Sequence, residues 1–152
     1  MIRVLHIDDE APIRLLARVN LEWQAEMEVI EATDGRTGVR LAKRELPDLI
    51  LLNVNLPGLD GWQVAEELQK DQETREIPIV FLTARSELKE LARGLELGAV
   101  DYITKPFNPL ELAPRIRGLL ERLERGERDE LRREKISELR ALMGADSADS
   151  PA

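Results

Sequence analysis

Five polar positions are spaced along this chain as a phosphoryl site would need them. Asp8 and Asp9 follow the apolar run 3–7, Asn53 closes the run Leu-Ile-Leu-Leu, and Thr83 and Lys105 close two later runs. Adjacent carboxylates offer the hard oxygen ligands that magnesium takes, and that ion usually needs only one or two of them because it keeps several waters. A hydroxyl and an ammonium beside the metal suit the phosphoryl oxygens it leaves unneutralised. Asn53 is the odd member. It is an amide where its neighbours call for an acid, and an amide oxygen lacks the charge with which a carboxylate attacks phosphorus.

These positions share a site only if the runs that carry them end at one edge of a sheet. Strands are expected at 3–7, 28–32, 48–52, 77–83 and 100–104. The third is apolar throughout, which suits a strand buried on both faces of a parallel sheet. Helical spacing follows each strand. Pro12 suits a first helical turn, Asp34-Gly35 leads into a second helix that Pro47 stops, and a third runs over 61–68. Ser86 is the expected N-cap of a helix over 87–97 closed by Gly98, and Asn108-Pro109 should open the last helix, with Pro114 loosening its first turn. Strands alternating with helices predict an α/β fold, a doubly wound five-stranded parallel sheet whose carboxyl edge gathers Asp8, Asp9, Asn53, Thr83 and Lys105.

The 152 residues suit one domain with an appendage. The absence of cysteine excludes a disulfide framework and thiolate chemistry. A net charge of −8 argues against direct nucleic-acid binding, which needs a basic face. With neither a signal peptide nor a membrane-spanning run in the sequence, a cytoplasmic location is expected. His6, the only histidine, reads as a packed or hydrogen-bonded strand residue, and Trp23 and Trp62 read as helix-surface or packing aromatics.

Together with Pro-Gly-Leu-Asp-Gly after the third strand and Lys-Pro-Phe after the fifth, these positions resemble the receiver domain of two-component response regulators, a flavodoxin-like, CheY-like fold, over about four-fifths of the chain. The resemblance implies Asp8 and Asp9 as the magnesium-holding acids, Asn53 at the phosphoacceptor position and beside the metal, and the Asn55 backbone carbonyl as a further ligand. It implies Thr83 as the hydroxyl that turns toward a phosphoryl group, Tyr102 as the aromatic switch, and Lys105 as the cation that pairs with the acceptor. A histidine kinase or phosphotransfer protein is the implied partner. Asn53 departs from the pattern, so the chain should be locked unphosphorylated, with a weakened Mg²⁺ site and a more stable metal-free fold than an Asn53→Asp form. The intact neighbours favour a recent or deliberate loss of the acceptor. An enzyme of the haloacid-dehalogenase kind needs a second aspartate two residues after the nucleophile. Glu10 stands there instead, and no enzymatic activity is expected.

The expected division is a receiver over 1–123, a helical extension over 124–143 and a disordered tail over 144–152. The last receiver helix should run on through 117–143, supported by charged pairs such as Glu121 with Arg125 and Glu124 with Arg128. Leu131, Ile136, Leu139 and Leu142 would then lie past the sheet and pair with a second copy or a partner. In regulators with winged-helix outputs, dimers form across the fourth helix, fifth strand and fifth helix. Asp101, Glu111, Arg115 and Arg117 match positions used there, while Leu91 and Val100 suggest a more apolar contact. The alternative reading is a phosphorylation-independent adaptor or scaffold acting through its C-terminal helix. Either a stand-alone receiver or a fragment of a longer regulator fits the sequence.

Overall fold

Leu49–Asn53 forms β3, and all of its residues are buried. Such a strand is stable only inside a sheet covered on both faces, and it lies so in the computed structural model, which describes residues 1–148. β1 (Arg3–Ile7) and β4 (Ile79–Ala84) flank it, while β2 (Glu28–Ala32) and β5 (Ala99–Lys105) form the edges. All pairings are parallel, in the order β2-β1-β3-β4-β5.

Alternation along the strands supplies two cores. One face carries Val4, Leu51 and Val80 under α1 (Ala11–Arg18) and α5 (Leu112–Glu124), which contribute Ala17, Ile116 and Leu119. The other carries Ile7, Ile50 and Phe81 under α2 (Gly35–Glu45), α3 (Gly61–Lys70) and α4 (Leu88–Glu96), which contribute Val39, Val64 and Leu95.

The helix starts follow the sequence with one exception. Asp34 caps α2 by accepting from the Thr37 amide at 2.9 Å, and Asp60 forms a capping box with Gln63 at the head of α3. Asn108 accepts from the Leu110 amide at 3.1 Å and opens a short 3₁₀ turn before α5. Pro114 therefore falls in the first turn of α5, where no N–H is needed. The exception is Ser86, which lies inside a 3₁₀ turn over Arg85–Glu87 instead of capping a helix; Glu87 precedes α4. Gly98 closes the α4–β5 turn with φ +93°.

The expectation of one continuous last helix is wrong. α5 stops at Glu124, and Gly126 turns the chain with φ +76°. The Gly126 and Glu127 amides donate to Leu123 O and Arg122 O, both at 3.0 Å, the paired bonds of a Schellman stop. A sixth helix, α6 (Arg128–Ala148), then folds back and packs against α4 and β5. Its Leu131 joins the α1–α5 core and its Leu139 joins the opposite core, so α6 crosses the open edge of the sheet at β5. Leu131 and Leu139 are buried to 1% and 0% exposure, and Ile136 packs beside them, contrary to the expectation that these residues lie beyond the sheet. Leu142 alone stays exposed.

Magnitudes explain the error. Each i,i+4 charge pair in a continuous helix stabilises by about 0.3–0.5 kcal/mol, whereas burying one leucine is worth about 1.5–3 kcal/mol. Two buried leucines outweigh the pairs that suggested continuity. Residues 144–148, expected to be disordered, complete α6; residues 149–152 of that tail lie outside the described residues.

β5 contains a bulge. Ile79 pairs with Ala99 and Val80 with Asp101, leaving Val100 as an extra residue. Val100 and Asp101 consequently both serve the α5 side, and Tyr102 is turned to the α4 side.

A receiver site with an amide in place of the acceptor

β1, β3, β4 and β5 deliver their last residues to one edge. Asp8 and Asn53 are buried there and Asp9 is exposed. The Asn53 side chain bridges the site. Its Nδ2 donates to Asn55 O at 3.0 Å, to Asp9 Oδ1 at 3.3 Å and more weakly to Asp8 Oδ1 at 3.4 Å. Its Oδ1 accepts from Lys105 Nζ at 3.1 Å. Lys105 Nζ also donates to Glu10 Oε2 at 2.9 Å and lies 3.6 Å from Asp8 Oδ2. The backbone supports this edge closely: a Cβ at Gly61 would lie 2.5 Å from the Asn53 carbonyl oxygen.

Three oxygens, from Asp8, Asp9 and the Asn55 carbonyl, thus converge on one point, and the Asn53 amide nitrogen stands at it. That donor set suits a hard divalent cation. With Asn53 as it stands, no group of three or more His, Cys, Asp or Glu side chains among the described residues is placed to hold a metal. Magnesium would be held by Asp8, Asp9 and the Asn55 carbonyl, and the amide would have to turn its oxygen inward and give up Lys105.

Burial raises the Asp8 carboxyl, but His6, the Glu10 amide and Lys105 together outweigh it and hold the group below its usual 3.8. His6 is fully buried with Nε2 3.5 Å from Asp8 Oδ2, so the histidine read as a packed or hydrogen-bonded strand residue also faces the site. A carboxylate depressed in the folded state stabilises the fold above its usual pKa, and that contribution is lost as pH falls through the lower folded value. Urea midpoints measured between about pH 5 and pH 3 should therefore fall with pH, and Asp8→Asn should flatten the fall. An equal slope in both proteins would show that Asp8 carries none of it.

Thr83 is buried, and its hydroxyl lies 3.2 Å from Ala84 O and 3.5 Å from Glu87 Oε2. Glu87 also accepts from Asn55 Nδ2. Sequence reasoning missed Glu87, which joins Thr83 to the β3 loop; its position just after β4 was the only available signal. An open cleft of about 650 Å³ beside it is lined by Asp9, Asn55, Asp60, Trp62, Glu87 and Glu90. Tyr102 does not point into this edge. Its hydroxyl donates to Glu138 Oε1 of α6 at 3.3 Å, and burial with the neighbouring Glu138 pushes its pKa up to about 12. The Lys105-Pro106 peptide is cis.

A family model described as the response regulator receiver domain matches residues 4–117. The chain belongs to that family. It is 46% identical over 121 residues to the phosphate regulon transcriptional regulatory protein PhoB of Escherichia coli, covering 80% of this chain and 52% of PhoB. It is 42% identical over 125 residues to the DNA-binding dual master transcriptional regulator RpaA of Synechocystis, covering 82% and 52%. The chain spans about half the length of these relatives. Among solved structures, the chemotaxis protein CheY4 of Vibrio cholerae superposes with a TM-score of 0.71 at 29% identity, over 77% of this chain and 97% of that one. The receiver domain of the Francisella response regulator 1452 gives 0.73 at 28%, over 81% and 99%. Receivers are signalling modules of two-component systems that generally bind Mg²⁺ at an acidic pocket and interact with histidine kinases or phosphotransfer proteins. No helix among the described residues is long and apolar enough to cross a membrane.

The face expected to mediate receiver dimers is not free. Asp101 is held within the chain by Arg115 Nε at 2.8 Å and by Lys135 Nζ of α6 at 3.2 Å. Leu91 and Val100 are buried, so they cannot form the exposed apolar contact the sequence suggested. Arg117 donates instead to Ala25 O, in the turn before β2. Glu111 lies exposed in the 3₁₀ turn before α5.

Proposed function

We propose that this receiver works in a phosphorelay in a form that Asn53 locks unphosphorylated, and that it signals by protein–protein contact. One observation carries this reading: the Asn53 amide donates to the two acids and the loop carbonyl that would hold magnesium, while its oxygen occupies Lys105. The amide whose oxygen is too weak a nucleophile for phosphorus thus satisfies the acidic pair through its nitrogen, in the cation's place. Mg²⁺ binding is correspondingly weak, through Asp8, Asp9 and Asn55, and Thr83, Tyr102 and Lys105 keep the family's switch and pairing roles. The receiver is cytoplasmic, has no enzymatic activity of its own and does not itself contact nucleic acid.

Docking to a histidine kinase or phosphotransfer protein takes place at the carboxyl edge. Leu15 and Leu16 on α1 and Leu110 after β5 are exposed at 61%, 44% and 65%, an apolar fringe on the elements that follow the acidic pair and Lys105. Self-association through the face formed by α4, β5 and α5 requires the C-terminal helix, which covers α4 and β5 within one chain, to move aside or to be exchanged. The adaptor alternative is less well supported, because the helix it needs free has Leu131 and Leu139 buried in the two cores.

Intact mass after incubation with acetyl phosphate and magnesium tests the reading. A phosphoryl adduct is expected on Asn53→Asp and none on the unsubstituted chain. An adduct on the unsubstituted chain would remove the lock, and no adduct on either would show that the remaining site has lost its chemistry.

A further inference from the structure

α6 is bound to this protein much as a separate ligand would be. Leu131 and Leu139 are buried at the two cores, Lys135 pairs with Asp101 at 3.2 Å, and Glu138 accepts from the Tyr102 hydroxyl at 3.3 Å. Apolar and charged contacts are therefore matched between one helix and one groove. The tether is short: only 125–127 separate α5 from α6, and Arg122 pins it by pairing with Glu127 at 2.9 Å and with Glu134 at 2.7 Å.

The turn at Gly126 has a straight alternative. Its two closing hydrogen bonds, from Gly126 and Glu127 to Leu123 and Arg122, would be replaced by i→i−4 bonds if α5 continued straight. Straightening would also bring Glu124 to Arg128 at helical spacing, against a cost of about 1 kcal/mol for glycine inside a helix. A straight helix carries Leu131 and Leu139 away from their own groove. They then need another.

We propose that the groove along α4 and β5 is a helix-binding site for which α6 is a tethered occupant, and that it takes α6 of a second copy when the Gly126 turn opens. The exchange is reciprocal, because each copy offers both groove and helix, and it closes as a two-fold dimer. This rests on reading that face as the self-association surface and is independent of the phosphoryl chemistry. An acetyl phosphate result on Asn53→Asp neither supports nor weakens it.

The test uses a fluorescent peptide of residues 127–144 and the full chain. The peptide should bind a Leu139→Glu chain, whose own helix is lifted, and should bind the unsubstituted chain at least tenfold more weakly, because the tethered helix competes at an effective concentration on the order of millimolar. Equal binding to both chains, or no binding to Leu139→Glu, would overturn the proposal. Lys135→Glu, which keeps the leucines but sets a like charge against Asp101, is the second variant should Leu139→Glu fail to fold. In the full chain, deleting Gly126 and Glu127 removes the turn, and light scattering should then give a dimer mass. A folded monomer from that deletion would overturn the exchange.

Discussion

Replacing Asn53 by aspartate should destabilise the metal-free protein by about 2–3 kcal/mol in urea titration, since a buried donor is lost and like charges are brought together. The amide nitrogen now serves Asp8, Asp9 and the Asn55 carbonyl at once. An aspartate would put a third carboxylate beside that pair, with Lys105 as the ammonium at its centre. Magnesium narrows the gap. At a hundredfold excess over its dissociation constant it stabilises the aspartate form by about 2.7 kcal/mol, enough to offset the deficit. The unsubstituted chain should gain much less from the same addition, because its donor set is one anion short. Greater stability of the aspartate form without metal would sink this account of Asn53.

Leu139→Ala should cost about 2–5 kcal/mol, the range for emptying a fully buried leucine site. Leu142→Ala, one turn further on at a half-exposed position, should change stability by no more than about 0.5 kcal/mol. The comparison separates a helix that completes the core from one resting on it. Equal and small effects at both positions would mean that α6 contributes little to the fold, even though Leu139 belongs to the cluster that holds Leu91, Leu95 and Tyr102.

Most of the sheet and its edge were legible in the sequence because four of the five strands, all but β2, are short and largely apolar and end at a polar residue with a chemical role. Asp8, Asn53, Thr83 and Lys105 each fall at or just past the end of a strand, where parallel pairing leaves no choice of edge. The tail was not legible. Its charge pairs suit a continuous helix, and the competing term, burial of Leu131 and Leu139, depends on contacts with residues far earlier in the chain. The bulge at Val100 was equally hidden. One extra residue decides whether Tyr102 faces α5 or α4, and nothing local in Ala-Val-Asp-Tyr announces which residue is the surplus one. Glu87 was missed for a related reason: its carboxylate reaches Thr83 and Asn55 only because the turn before α4 is 3₁₀.

The path of α6 across β5 has a meaning for solubility. β5 ends the sheet, and the outer side of an end strand offers unpaired amides and carbonyls to any passing extended chain, the usual seed of ordered aggregation. α6 lies along that border and joins the helix layers on either side of it. The helix therefore works as a hem on the sheet. Truncation before Arg128, which removes the helix, should leave a folded body that precipitates by strand addition.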